Sequence, residues 1–588
     1  MNNKANNSNF ILAVVLSAII LIGYQQFYVR PHQEQYRQQV LAESKTQKAK
    51  QDVAAVTDSA APRPRAEVIG KNPRVKIATP ELEGSINLKG ARIDDLSLVR
   101  YRETIDPASP NIILLSPSGS ADPEAYYADF SWLADAGTKA PDADSEWKAA
   151  GGELTPDHPV TLTWDSGRGL SFARTISVDD HFMFTVHDRV TNKGSDPVTL
   201  YPAGLVARQG NPVQKSISVL HEGPLGAIGG PVQDYKYKEL MEGKQTQSGK
   251  GGWLGITDKY WLVALIPQQD ESLTADFLYN RADQHDPDQG WFQTDYRGGG
   301  ITVAPGASAE NEARLFAGAK QVRLLDAYGD KFGIPHFDRA IDFGWFYFLT
   351  KPFLYLLAWL GHWFGSLGIA ILVFTVLLKL VTLPLSLKSY HSMSRMKALQ
   401  PEMKRIQERY KDDRVRQSQE MMEFYKKEKV NPMAGCLPQV IQIPIFFALY
   451  KVLYVSIELR QAPFYGWIHD MAAPDPTSWV NLFGLAHWGI PAQYALNLGF
   501  FAVYLPPALH IGLWPFLMGL SMFLQQRLSP QPPDKTQARM FMFMPIFFTY
   551  LLSSMPSGLV IYWTWSNLIS IAQQAYIMRK DSAKRAAR

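Results

Sequence analysis

The chain has 588 residues, a net charge of +4, 46% hydrophobic residues and 19% charged residues. Charge is scarcer than the roughly 25% of soluble domains. Long apolar runs at the start and in about the last 240 residues exclude a wholly soluble protein. The single cysteine, Cys436, excludes an internal disulfide; deep in the chain and without a signal peptide before it, it reads as a small packed residue rather than a lipid-attachment site.

Residues 1–9 are polar, and 10–29 form an apolar run of 20 residues, enough to span a bilayer. No small-residue cleavage site follows it, so the run reads as an uncleaved signal anchor, with Tyr24, Phe27 and Tyr28 at the far interface. Residues 30–66 are rich in Gln, Ala, Lys and Ser and have too few large apolar residues to pack, which predicts a tether.

From 67 to 333 the apolar period becomes two. Leu170, Phe172, Ile176 and Val178 alternate with polar neighbours, as do Phe182, Phe184 and Val186. Turn clusters such as Asn192-Lys-Gly-Ser-Asp-Pro197 separate such runs, predicting a large β-sandwich. Asp179-Asp180-His181 reads as a turn, not a catalytic group, and no metal-ligand or nucleophile motif is present. Residues 312–328 read as a helix closing the domain, and 334–351 as an amphipathic helix at the membrane interface. Pro352 separates the latter from a membrane helix over 352–386.

That helix carries a cation. At 100° per residue, Gly361, Gly368, Thr375, Lys379, Thr382 and Ser386 fall on one face, opposite Leu, Ile, Val and Phe. An intramembrane lysine costs roughly 2.5–3.5 kcal/mol on insertion scales and marks a functional position. The competing reading is that Lys379 snorkels to the surface near Lys388, about 13 Å along the helix.

Residues 387–431 hold about twelve Lys/Arg against seven Asp/Glu, which places them in the cytoplasm. Met393, Met396, Leu399, Met403 and Ile406 predict one amphipathic helix, Asp412-Asp413 a break, and Val415, Met421, Met422 and Tyr425 a second helix. Further spans are read at 433–455, 508–526, 540–554 and 556–578. Residues 456–507 form an outer segment, 527–539 a cytoplasmic loop and 579–588 a basic tail. On the span at 433–455, Gln439, Gln442, Phe446 and Tyr450 share a face. Six spans put every basic loop on one side, with both termini cytoplasmic. The fold class is a multidomain membrane protein: an N-terminal anchor, a large β-sandwich outside, and a five-span α-helical core.

Gln400-Pro401, Lys429-Val-Asn-Pro432 with Gly435-Cys436, Gln442-Ile-Pro-Ile-Phe446, Glu458-Leu-Arg-Gln-Ala-Pro-Phe464, Trp467-Ile-His-Asp470 and Pro556-Ser-Gly-Leu559 with Ser566-Asn567 resemble the YidC/Oxa/Alb membrane protein insertases. The likeness covers nearly the whole chain, in the Gram-negative six-span form with a periplasmic domain. It implies a groove open to the cytoplasm and to lipid, with one cation in the inner leaflet. Lys379 stands at that position, where many relatives carry arginine; the charge is kept and the bidentate grip is not. Thr375, Gln442 and Tyr562 match other groove positions, and Trp563 stands where a different aromatic is common. The resemblance implies nascent inner-membrane proteins as clients, chaperone activity, and the Sec translocon, the ribosome, the signal recognition particle pathway and lipid as partners. It implies no cofactor, no metal and no small-molecule substrate. Without a GxxxxGK[ST] motif, no ATP hydrolysis is expected. A secondary transporter with a sensing domain and a tethered sugar-modifying enzyme are the rival readings. The stretch 477–508 looks longer than is usual for the family.

Overall fold

The computed structural model describes residues 53, 62–210, 220–281, 290–428, 430, 437–484, 495–498, 501–504, 511–529 and 535–586. The anchor at 10–29, most of the tether, and the motif 429–436 apart from Val430 lie outside these. The chain divides into two compact units, one over Val40–Asp342 and one that includes Phe343–Arg588.

The first unit is a β-sandwich of a ten-stranded and a nine-stranded sheet. In the larger, Val198–Gln209 pairs antiparallel with Tyr126–Ala134 and Trp291–Arg297. In the smaller, Ser308–Ala319 lies between Trp261–Ile266 and Met183–Asn192. Strand Leu170–Val178 alternates buried and half-buried at every residue, as its period-two sequence requires. Its register against Met183–Asn192 sets Arg174 opposite Asp188. Between these strands the Asp179 carboxylate accepts from the amides of His181 and Met183. Those carboxylate bonds make the turn. Three short helices accompany the sheets: α1 (Arg65–Ile69), α2 (Tyr237–Glu242) and α3 (Val322–Phe332).

One expectation here is overturned. Residues 312–319 belong to a strand, and the closing helix begins only at Val322. The run Glu-Ala-Arg-Leu favours helix locally, but two flanking strands offer it a full ladder of hydrogen bonds, and pairing outweighs propensity.

The second unit is helical: α4 (Tyr347–Phe364), α5 (Leu367–Arg409), α6 (Arg414–Lys427), α7 (Leu437–Val455), α8 (Leu513–Leu528), α9 (Lys535–Leu552) and α10 (Ser557–Ala586). A short hairpin, Ala495–Leu498 with Phe501–Tyr504, lies within the stretch between α7 and α8.

The helix read over 352–386 is two helices. Gly365 adopts a left-handed conformation with φ 63°, which glycine accepts without steric cost, and Ser366 caps α5 by accepting from the amide of Ile369. Nor does a separate amphipathic helix fill 334–351. A single 3-10 turn occupies Phe337–Ala340, and α4 starts at Tyr347 with Pro352 inside it.

α5 continues through the membrane segment into the basic region as one helix of 43 residues, about 65 Å long. The first arm of the hairpin is therefore its extension. The break falls where Asp412-Asp413 predicts it: the Asp413 carboxylate accepts from the amides of Val415 and Arg416 and starts α6. Among the described residues, α5 is the helix long and apolar enough to cross a membrane, and Val440–Val455 and Ala538–Leu552 are shorter apolar helices.

Candidate functional site

The polar face of α5 is built so that an apolar helix can carry it. Thr375 donates its hydroxyl to the Ile371 carbonyl at 2.7 Å, Thr382 to Leu378 at 2.9 Å and Ser386 to Thr382 at 3.1 Å. Each hydroxyl is satisfied on its own helix and needs no water. Thr375 is fully buried, whereas Val381 on the opposite side is 78% exposed. Gly361 leaves this face because it belongs to α4; a Cβ there would lie 2.5 Å from Leu367, so it allows α4 and α5 to close together.

Three contacts show that α5 and α10 run in the same direction. Gly558 lies near Ile371, Lys379 bonds Ser570, and His391 meets Asp581 at 2.7 Å. The Lys379 ammonium donates to the Ser570 hydroxyl at 2.9 Å. Ser570 in turn donates to the Ser566 carbonyl at 2.9 Å. Lys379 therefore crosses to a neighbouring helix. Among the described residues no acidic side chain pairs with it.

A second layer lies nearer the start of α10. Gln442 on α7 donates its amide to the Tyr562 hydroxyl at 2.7 Å, and Tyr562 is buried. The Phe446 ring sits 4.6 Å from Trp563, which also meets Phe548 at 5.4 Å. Met518, Leu552 and Val560 complete this apolar cluster. Phe446 and Trp563 thus pack the layer, about 10 Å along α10 from Ser570. Gln439 lies in the first turn of α7, and its side chain is outside the described residues.

The ends of α8 and α10 nearest this layer are capped by the segment before them. Asp475 accepts from the Trp467 indole at 3.1 Å, the Thr477 amide at 3.0 Å, the Thr477 hydroxyl at 2.7 Å and the Trp514 amide at 2.8 Å. The amides of Ser557 and Gly558 donate to the carbonyls of Ala473 and Met471 at 2.8 and 3.0 Å.

Sequence reading missed Thr564, Ser570 and Gln574, and took Ser566-Asn567 only as part of a family motif. Thr564, Ser566, Asn567, Ser570 and Gln574 are all buried on α10, and Asn567 donates to Ser521 on α8 at 2.9 Å. The signal was present as polar residues three and four apart in an apolar run, the same pattern that exposed Lys379.

Two family models match the chain: the YidC periplasmic domain over residues 74–356, and the 60Kd inner membrane protein over 359–584. A "Membrane protein insertase YidC" of Methylorubrum extorquens (strain PA1) is 48% identical over 98% of this chain and 96% of its own length. The chain belongs to the YidC family. A second YidC, from Bradyrhizobium diazoefficiens, is also 48% identical, over 98% of this chain and 97% of its own. A solved "Active YidC insertase crystal structure with the first transmembrane domain resolved" aligns with 85% of this chain and 91% of that chain at 17% identity and a TM-score of 0.35. As in the YidC family, the chain joins a periplasmic β-sandwich to a helical inner-membrane region.

Proposed function

We propose that this chain inserts membrane proteins into the bacterial inner membrane and assists their folding, alone or with the Sec translocon. Clients include those delivered by the ribosome and the signal recognition particle pathway. The observation that carries the reading is Lys379, a cation on a face of small and hydroxyl residues, held by a hydroxyl rather than neutralised by a carboxylate.

Moving a polar tail through hydrocarbon leaves its charges and backbone unsatisfied. A wet groove between α5, α7 and α10, lined by Lys379, Thr382, Gln439, Gln442, Phe446 and Trp563 with Thr375 and Tyr562 buried behind them, shortens that path. Lys379 attracts an acidic tail as a point charge. The apolar segment of the client then moves sideways into lipid, where its burial drives the step. The groove needs no bound cofactor for this.

The topology that serves this role has six spans, counting the anchor at 10–29, with both termini cytoplasmic and 67–333 and 456–507 periplasmic. The basic excess of 387–431 and of the tail supports it. The hairpin formed by the end of α5 with α6 recruits clients through its methionine stripe. The tail after Arg579 adds salt-dependent attraction to ribosomal RNA. Reporter fusions after residues 60, 410 and 500 are expected to read outside, inside and outside; a cytoplasmic signal at 60 overturns the topology.

The decisive test compares two otherwise identical clients, one with an acidic translocated tail and one neutralised, scored by protease protection. Lys379→Arg is expected to keep insertion of both, Lys379→Leu to impair the acidic client selectively, and Lys379→Glu to impair it further. Equal insertion of both clients by the Leu variant and the parent defeats the electrostatic role.

A further inference from the structure

We infer that Ser570 is a positioning residue for Lys379: it holds the ammonium inside the groove without consuming its charge. The inference rests on the electrostatic reading of Lys379 and adds a residue to it.

A lysine stem is flexible, and an ammonium left unheld in a membrane relaxes toward the headgroups. Lys379 instead crosses to α10, where the Ser570 hydroxyl accepts from it at 2.9 Å. Ser570 is 4% exposed, so its geometry is set by packing. A hydroxyl has one proton to give and two lone pairs to offer. Here the proton goes to the Ser566 carbonyl at 2.9 Å, which leaves the lone pairs toward Lys379.

The alternative partners show why a hydroxyl suits the task. A carboxylate at 570 would form an ion pair and cancel the charge that a client tail is meant to meet. An alanine would leave the half-buried ammonium with one partner fewer. Serine binds one of three ammonium protons and leaves two donors and the full positive charge for the client.

The test uses the full-length protein in membranes and the same acidic and neutralised client pair. Ser570→Ala is expected to lower insertion of the acidic client about three- to tenfold, the range set by the net contribution of one ordinary hydrogen bond, and to leave the neutral client unchanged. Ser570→Thr, which keeps the hydroxyl, is expected to restore the acidic client. In a Lys379→Leu background, Ser570→Ala is expected to add nothing, since the group it positions is gone. Equal loss for both clients, or lower accumulation of the protein, would mean that Ser570 only packs α10 and would overturn the inference. So would a Ser570→Ala protein that matches the parent on both clients while Lys379→Leu still discriminates. If Lys379→Leu itself fails to discriminate, the electrostatic reading falls on its own evidence.

Discussion

The β-sandwich buries a cation and the helical unit half-buries one, and they treat it differently. Arg174 is 1% exposed and forms two hydrogen bonds with Asp188, at 2.8 and 2.9 Å, while the Trp132 indole donates to the same carboxylate at 2.9 Å. Lys379 meets a serine hydroxyl. A buried guanidinium locked to a carboxylate through Nε and Nη2 has its charge cancelled, so even with Nη1 unbonded it organises a core and offers nothing to a visitor. An ammonium on a hydroxyl keeps its charge and spare donors. The difference separates a structural cation from a working one.

The largest test of this contrast is Arg174→Met. It leaves the buried Asp188 carboxylate with the Trp132 indole but no cation and is expected to cost about 3–5 kcal/mol, read as a fall in the thermal midpoint of the full-length protein in detergent. Replacing both partners with apolar residues of similar volume is expected to recover most of that loss, because the penalty belongs to the orphaned charge. A double variant as unstable as the single one would show that the pair itself supplies the stability.

Lys320 offers an intermediate case within the β-sandwich. It is fully buried, and its ammonium donates to the Thr257 hydroxyl at 2.9 Å. Burial brings its pKa down to about 8 from 10.5, against partial support from Asp258, Asp342, Glu222 and Asp234. Between these values the unfolded chain binds the proton more tightly than the folded one. The lysine therefore subtracts stability below pH 8, and the subtraction fades as pH rises toward 10.5. Lys320→Met is expected to stabilise the protein by about 3 kcal/mol at pH 7, and by progressively less up to pH 10. A gain that does not shrink with pH would break the argument.

Asp475 comes next in size. Asp475→Ala removes an acceptor shared by four donors at the start of α8 and is expected to cost about 1–2 kcal/mol, with faster proteolysis between α7 and α8 as the readout. Smallest is the stability effect of Lys379→Leu, expected within about 0.5 kcal/mol because removing an intramembrane charge relieves a cost. A Lys379→Leu protein that fails to accumulate would make Lys379 structural, like Arg174, and the comparison would collapse.

Much of this protein is determined locally. The change from period two to long apolar runs separates a sandwich from a helical region, because a half-buried strand and a lipid-facing helix solve different burial problems with different spacing. The Asp412-Asp413 break is legible because a carboxylate at a helix start satisfies free amides wherever it occurs. Lys379 stands out because charge on an apolar helix is costly in any fold. Tertiary structure decided the rest. Residues 312–319 are part of a strand because two neighbours supply its hydrogen bonds, although the local sequence favours helix. Gly365 parts α4 from α5, and a run of apolar residues continuing on both sides hides the break. The partners Ser570 for Lys379 and Asp188 for Arg174 come from other elements, one of them 191 positions away. A side chain's own spacing reveals that it needs a partner; only the packing of a second element determines which group answers, and so whether the charge is cancelled or kept.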